Sequence, residues 1–304
     1  MNISIIGSGR VGSSVALNCC MRELGDVLLL DIVEGLPQGE SMDINHQLAE
    51  LGNDCHVKGS NDYQDMKKSD FVVIVAGIGR KPGMTRMDLL KTNAGIVKDV
   101  CNKVRTYSPE SIVIVVTNPL DPLTYLALQI INSDKGKVMG MGGMLDLSRF
   151  KEYISSSTGM SRSSIQAMVI GEHGENMLPL IRFSSISGIP LSSFINNVQS
   201  NEFVTKTRNV AAEVISLKGA TVYAPGNAVS AMIDAISRNR RKILPVSAFL
   251  EGEYGYSNVC LGVPCVLGSN GIEKIIELEL NPEEKEMLTN GVESVKTAIR
   301  ELPI

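Results

Sequence analysis

"SIIGSGRVGSSVA", residues 4–16, decides the fold. An apolar run ends at Gly7, Gly9 and Gly12 follow with G-x-G-x-x-G spacing, and the residues after them suit the start of a helix. In such a turn Gly7 permits the sharp bend, Gly9 lets a pyrophosphate approach the backbone, and Gly12 allows the helix to pack closely on the sheet. The helix N-terminus adds free N–H groups and a partial positive charge. Glycine-rich turns also arise for purely structural reasons, so the pattern needs context. Asp31 supplies it, nineteen positions after Gly12 at the end of the next strand-like run. An acid there can accept hydrogen bonds from both ribose hydroxyls and repels a 2′-phosphate, which predicts NAD rather than NADP. Without the glycine loop, Asp31 would read as a strand cap.

Working outward, apolar runs at 2–6, 26–31, 70–76, 111–116 and 136–140 read as strands, with a weaker one near 54–58. They are continuous rather than alternating, as in a parallel sheet covered on both faces. Helices are expected near 10–24, 36–51, 88–107 and 121–132. This alternation predicts an α/β chain that opens with a Rossmann, doubly wound parallel sheet and binds ligands at the carboxyl ends of its strands. After about residue 142 the pattern changes. A helix begins at "GMLDLSRFKEYISSS", followed by strand-like pieces near 165–170 and 177–183 and helices near 191–217 and 226–238. Strands near 243–250, 262–267 and 273–279 lead to a final helix, 282–301. The division is into 1–142, NAD-binding, and 143–304, an α+β catalytic domain, closely packed because no linker separates them.

The 304 residues allow one large domain or two medium ones. With 43% hydrophobic and 20% charged residues, the chain is not expected to be disordered. A net charge of −4 argues against nucleic-acid or acidic-membrane partners, though local arginines can still hold an anionic substrate. The six cysteines form no C-x-x-C pair and read as buried reduced thiols, pointing to a cytoplasmic protein. No signal peptide is expected, because "MNISIIGSG" has no basic start followed by a long apolar stretch, and no membrane span, because the longest apolar run is "FVVIVAGIG" at 71–79.

"GIGRKPGMTRMDLL", residues 77–90, places Arg80 and Arg86 around a Pro82-Gly83 turn after a strand. A solvated loop is the plain reading. A short lid over a ligand is the functional one, because the loop leaves the carboxyl end of that strand. "GMLDLSRF" puts Asp146 and Arg149 three apart on a helix, either as a surface ion pair or facing a site together. His46 and His56 read as surface or packing residues. "MVIGEHGEN", residues 168–176, sets His173 at the end of an apolar strand between Gly171 and Gly174. A lone histidine is more often structural than catalytic. The dinucleotide loop, the arginines and an aspartate able to orient an imidazole favour catalysis here.

Taken together, "GSGRVGS", "LLLDIVEG", "AGIGRKPGMTRMDLL", "VVTNPLDPLTY", "LDLSRF", "IGEHGEN" and "KGATVYAPGNAV" resemble the lactate/malate dehydrogenase family over essentially the whole chain, in the family's order. The branch resembled is that of the lactate-dehydrogenase-like malate dehydrogenases. The resemblance implies that His173 is the acid/base and Asp146 its partner. It implies that Arg149 holds the substrate C1 carboxylate and that Arg86 polarises the carbonyl. Asn118 would touch substrate and nicotinamide ribose, and Thr221 would lie near the substrate's variable end. Cofactor contacts are implied for Gly7, Ser8, Gly9, Arg10, Val11, Gly12, Asp31, Asn93, Val116, Thr117 and Asn118. Arg80 matches the arginine of malate enzymes, where lactate enzymes carry glutamine. The resemblance also implies a homotetramer, with a dimer as the alternative, serving the tricarboxylic acid cycle. No metal is implied, and no metal-ligand cluster is visible in the sequence.

The rival within the family is a dehydrogenase for lactate or a bulkier 2-hydroxy acid, which Arg80 disfavours. An NAD-dependent glycosidase would need cysteine and histidine metal ligands, and no cysteine lies near His173 in sequence. A catalytically dead NAD-binding protein should have lost one of His173, Asp146, Arg149 or Arg86, and all are present.

Overall fold

The computed structural model describes residues 1–79 and 83–303. The first half alternates strand and helix: β1 (Asn2–Ile6), α1 (Arg10–Met21), β2 (Asp26–Leu30), α2 (Leu36–Glu50), β3 (Val57–Ser60) and β4 (Phe71–Ile74). It continues with α3 (Arg86–Tyr107), β5 (Ile112–Val115), α4 (Leu120–Ile131) and β6 (Val138–Gly140). These six strands are parallel and ordered β3-β2-β1-β4-β5-β6. All four residues of β4, FVVI, and of β5, IVIV, are buried, which explains why these strands read as unbroken apolar runs. The strand order reverses between β1 and β4, and the crevice at such a switch point is where ligands bind.

The second half holds α5 (Gly142–Thr158), β7 (Ile165–Gln166), β8 (Val169–Gly171), β9 (Met177–Pro179), β10 (Ser185–Ile186) and β11 (Ile189–Pro190). Then come α6 (Asn197–Lys218), α7 (Tyr223–Ser237), β12 (Lys242–Glu251), β13 (Ser257–Gly268), β14 (Gly271–Ile275) and α8 (Pro282–Arg300). Strand β12 pairs antiparallel with β6 through Ser247 and Gly140, so one eleven-stranded sheet runs on through β13, β8 and β9. Strands β11, β10 and β7 form a separate three-stranded sheet. The expected strand over 165–170 is two short strands in different sheets, because β7 turns to β10 while β8 pairs with β9 and β13.

Helix α3 begins two residues earlier than its apolar pattern suggests. Thr85 caps it: Asp88 N–H donates to Thr85 Oγ1 at 3.1 Å and Thr85 N–H donates to Asp88 Oδ2 at 3.0 Å, a reciprocal box. That box fixes where the loop after β4 ends. All six cysteines are free thiols, five buried and Cys55 half-buried. Among the described residues no helix is long and apolar enough to cross a membrane.

Candidate active site

The glycine loop joins β1 to α1 at the switch point. Gly7 has φ +107°, and a Cβ there would lie 2.7 Å from the Ala76 backbone nitrogen, so only glycine fits against the segment after β4. A Cβ on Gly12 would strike the Gly7 carbonyl oxygen at 1.8 Å. Nothing lies within 4 Å of the equivalent point on Gly9, which stands open at the helix N-terminus. Ser8 N–H donates to Asp31 Oδ2 at 2.7 Å and Val33 N–H donates to Oδ1 at 3.0 Å, so one carboxylate ties the loop to the end of β2. The Ser8 hydroxyl is buried without a hydrogen-bond partner. An open backbone at Gly9, an orphaned hydroxyl beside it and an acid at the strand end fit a dinucleotide.

Others of the residues implied as cofactor contacts sit at or beside the carboxyl ends of the parallel strands, in different roles. Asn93 on α3 is buried. Its Oδ1 accepts from Ile78 N–H at 2.8 Å, and its Nδ2 donates to the carbonyls of Asn118 at 2.6 Å and Ile78 at 3.1 Å. The amide therefore holds two strand-end loops together. Thr117 Oγ1 donates to Ala76 O at 2.8 Å, while Val116 is buried beside it. Asn118 is exposed. Arg10 donates to Lys218 O at 3.3 Å, reaching the end of α6, and Val11 packs half-buried on the core.

His173 stands just beyond β8, against the start of α5. Its Nδ1 is 2.7 Å from Asp146 Oδ2, and Arg149 Nη1 donates to Asp146 Oδ1 at 2.9 Å. Asp146 is 1% exposed, so both of its oxygens are spoken for inside the protein rather than by water. The surface-pair reading of Asp146 and Arg149 is thereby excluded. Burial pushes the His173 imidazole down, but attraction and hydrogen bonding to Asp146, with a further pull from Asp121, outweigh it. The net effect holds the imidazole above its ordinary range, although Arg149 opposes it. Arg86 starts α3 and pairs with Glu175, both side chains well exposed. Thr221 sits half-buried in the turn between α6 and α7. Arg80 lies outside the described residues.

Sequence patterning missed Asp121, Ser247, Glu172 and Gly142, which shape this site. Asp121, at the start of α4, accepts from His173 N–H at 2.7 Å and from Ser247 Oγ at 2.5 Å. Glu172 is held by Ser294 Oγ of α8 at 3.0 Å and by Asn176, which braces the turn carrying His173. A Cβ at Gly142 would lie 2.7 Å from His173 Cβ, so α5 can start against the histidine only with glycine there. "NPLDPL" and the glycines of "GMGG" carried a faint signal for Asp121 and Gly142. A serine inside an apolar strand and a glutamate beside a histidine carried none.

Comparison with known proteins gives the family. The family model of the lactate/malate dehydrogenase NAD-binding domain matches residues 1–140, and that of the family's α/β C-terminal domain matches residues 143–302. The chain belongs to the lactate/malate dehydrogenase family. It is 44% identical to a malate dehydrogenase of Roseiflexus sp. strain RS-1 over 99% of this chain and 98% of that one. The crystal structure of Cryptosporidium parvum malate dehydrogenase superposes with a TM-score of 0.96 at 40% identity, covering 99% and 98% of the two chains. The lactate dehydrogenase of the same organism, complexed with lactic acid and nicotinamide adenine dinucleotide, superposes at 0.95 and 38%, covering 99% and 97%. The glycine loop therefore belongs to a family NAD-binding domain, and the chain is an NAD-dependent oxidoreductase.

Asp31→Ser is expected to weaken NADH binding roughly tenfold or more, since each lost hydrogen bond to a charged group contributes about 1.5–3 kcal/mol. NADPH binding should improve as the like charge disappears. Titrating the fluorescence of each reduced cofactor measures both. A wild type that already binds NADPH as tightly as NADH would take the selective role away from Asp31.

Proposed function

We propose that this protein is a malate dehydrogenase, interconverting (S)-malate and oxaloacetate with NAD, and that His173 and Asp146 are its acid/base pair. The observation that carries the reading is the buried chain His173–Asp146–Arg149, with 2.7 Å and 2.9 Å links, set against Gly142 just after the carboxyl end of β6. The glycine loop and Asp31 would hold NAD, whose nicotinamide would supply the acceptor for the C2 hydride in oxidation and the donor in reduction.

The protein's own residues do the rest. With Nδ1 held by Asp146, His173 removes the hydroxyl proton at Nε2 during oxidation and returns it during reduction. Asp146 orients the ring and stabilises its protonated form. Arg149 is fixed by one of its guanidinium nitrogens and presents the others to the C1 carboxylate, a fork suited to paired charge-assisted bonds. Arg86 stabilises negative charge on the reacting oxygen after leaving Glu175. That exchange costs little, because exposed ion pairs contribute about 0–1 kcal/mol. Asn118 and Thr221 border the substrate, and Arg80 meets the second carboxylate.

Solved malate and lactate dehydrogenases share this scaffold, so the choice of substrate rests on Arg80. A guanidinium facing a lactate methyl group would be left unpaired. The test is NADH loss with oxaloacetate, pyruvate and 2-oxoisocaproate side by side. Oxaloacetate should be preferred, and a preference for pyruvate would overturn the malate reading.

The same reading includes a cytoplasmic homotetramer, with a homodimer as the alternative, serving the tricarboxylic acid cycle. Exposed apolar side chains on and beside α1 and α2, among them Met21, Met42 and Leu51, support association. A monomer in light scattering would reject it.

The pH profile carries a sign. Oxidation needs neutral His173, so malate oxidation should fall as pH drops below the raised imidazole value. Reduction needs the imidazolium, so oxaloacetate reduction should persist above the usual value of about 6.5 and fall as pH rises past the shifted one. Measuring kcat/KM against pH in both directions checks this. A shared limb below the ordinary imidazole range would contradict the role given to Asp146.

A further inference from the structure

We propose that Asp121 is a second positioning carboxylate of this active site, pinning the main chain of His173 to α4 and β12 and adding negative charge behind the imidazolium. The inference rests on the malate dehydrogenase reading for its kinetic consequence, and on geometry for its substance.

Asp121 is 1% exposed, and both of its oxygens are engaged: Oδ2 by the His173 backbone N–H at 2.7 Å, Oδ1 by Ser247 Oγ at 2.5 Å. The acid belongs to the first turn of α4, where the helix N-terminus favours an anion. Three separate segments therefore meet on one carboxylate. Ser247 is the residue of β12 that pairs with Gly140, so this contact lies where the parallel half of the sheet meets the antiparallel half. A buried carboxylate is costly, and a neutral side chain could fill the same space. Holding the His173 backbone alone would need only an acceptor, and an asparagine would serve. What a carboxylate adds is charge.

That charge stands 2.7 Å from the His173 main chain in a buried site, where it favours the charged form of the ring, and Asp121 is among the groups that raise His173. Burial pushes Asp121 itself up to about 6, while the Ser247 hydroxyl, the His173 N–H and the imidazole hold it down. Above that pH Asp121 is ionised and supports the imidazolium alongside Asp146. The other described groups facing the pair are Arg149 on α5, which opposes protonation of His173, and Glu172, which raises Asp121. From β13 comes the Cys260 thiol, pushed well up by burial and by Asp121. The Arg86–Glu175 pair lies at the exposed edge.

The experiment compares wild type, Asp121→Asn and Ser247→Ala. Ring NMR titration of the histidines, with His173→Asn to assign the signal, reads the imidazole directly and independently of turnover. Asp121→Asn keeps an acceptor for His173 N–H and removes the charge. The His173 midpoint should move down, and the alkaline limb of oxaloacetate reduction should move with it. Each unit of displacement removes about tenfold of the protonated fraction at high pH. The loss should fall on kcat rather than KM, since Arg149 is untouched, and NADH binding should stay unchanged. Ser247→Ala removes one donor, leaves Asp121 harder to ionise, and should move the midpoint the same way. Its milder packing change keeps the test open if Asp121→Asn fails to fold. An unmoved His173 midpoint in the folded variants would overturn the proposal, whatever happens to melting temperature. If the wild type turns over none of the keto acids, the malate reading fails, while the ring titration still decides the role of Asp121.

Discussion

His173→Asn should keep NADH binding and lose turnover by roughly 10²–10⁴-fold, the usual contribution of a positioned acid/base group. The substitution is chosen for what it preserves. An asparagine amide can still donate toward Asp146, and Arg149 remains on the other oxygen at 2.9 Å, so the buried carboxylate is not stranded. The backbone N–H to Asp121 is also retained. What disappears is the Nε2 position and the proton it carries. The cofactor loop and Asp31 share no hydrogen bond with His173 and should be unaffected. Steady-state rates with oxaloacetate, NADH fluorescence titration and a melting curve separate the effects. Retained turnover with lost NADH binding would make His173 a structural residue.

Arg80→Gln should cut kcat/KM for oxaloacetate by roughly 10²–10³-fold while pyruvate reduction rises. Breaking a buried charge pair costs about 3–5 kcal/mol, and each 1.4 kcal/mol is a factor of ten. Part of that loss is the substrate's second carboxylate left without a partner. The unpaired guanidinium that opposed a methyl group is gone, so pyruvate gains. That gain should be smaller than the loss, because on the malate reading the pocket is sized for a dicarboxylate and would not close on a methyl group. The fold should survive, since no described residue from 77 to 86 belongs to a hydrophobic core cluster. Both keto acids are measured with both proteins. An oxaloacetate-to-pyruvate ratio that does not move would remove Arg80 from the site, and the malate assignment with it.

Much of this was legible in the chain because it depends on near neighbours. Continuous apolar runs gave the parallel strands, and the glycine spacing gave the turn between β1 and α1. Element ends were less legible where a polar contact set them. Only the Thr85–Asp88 box places the start of α3 at Arg86, and only the choice of partner strand splits 165–171 into two pieces.

The sequence by itself determined the nucleotide-binding half, the acid Asp31 at the end of its second strand, and the residue types a hydride-transfer site needs. Those features rest on local periodicity and on the conformational limits of single residues, which act over a few positions. The tertiary structure alone decided which polar groups meet. His173 reaches Asp146 across 27 residues, Asp121 reaches His173 across 52 and Ser247 across 126. It also turned Asn93 toward two loops and made one sheet of both halves through β6 and β12. Such contacts follow from which faces the packed core brings together. A buried carboxylate takes its partners from whatever donors that packing delivers, and no spacing along the chain encodes them.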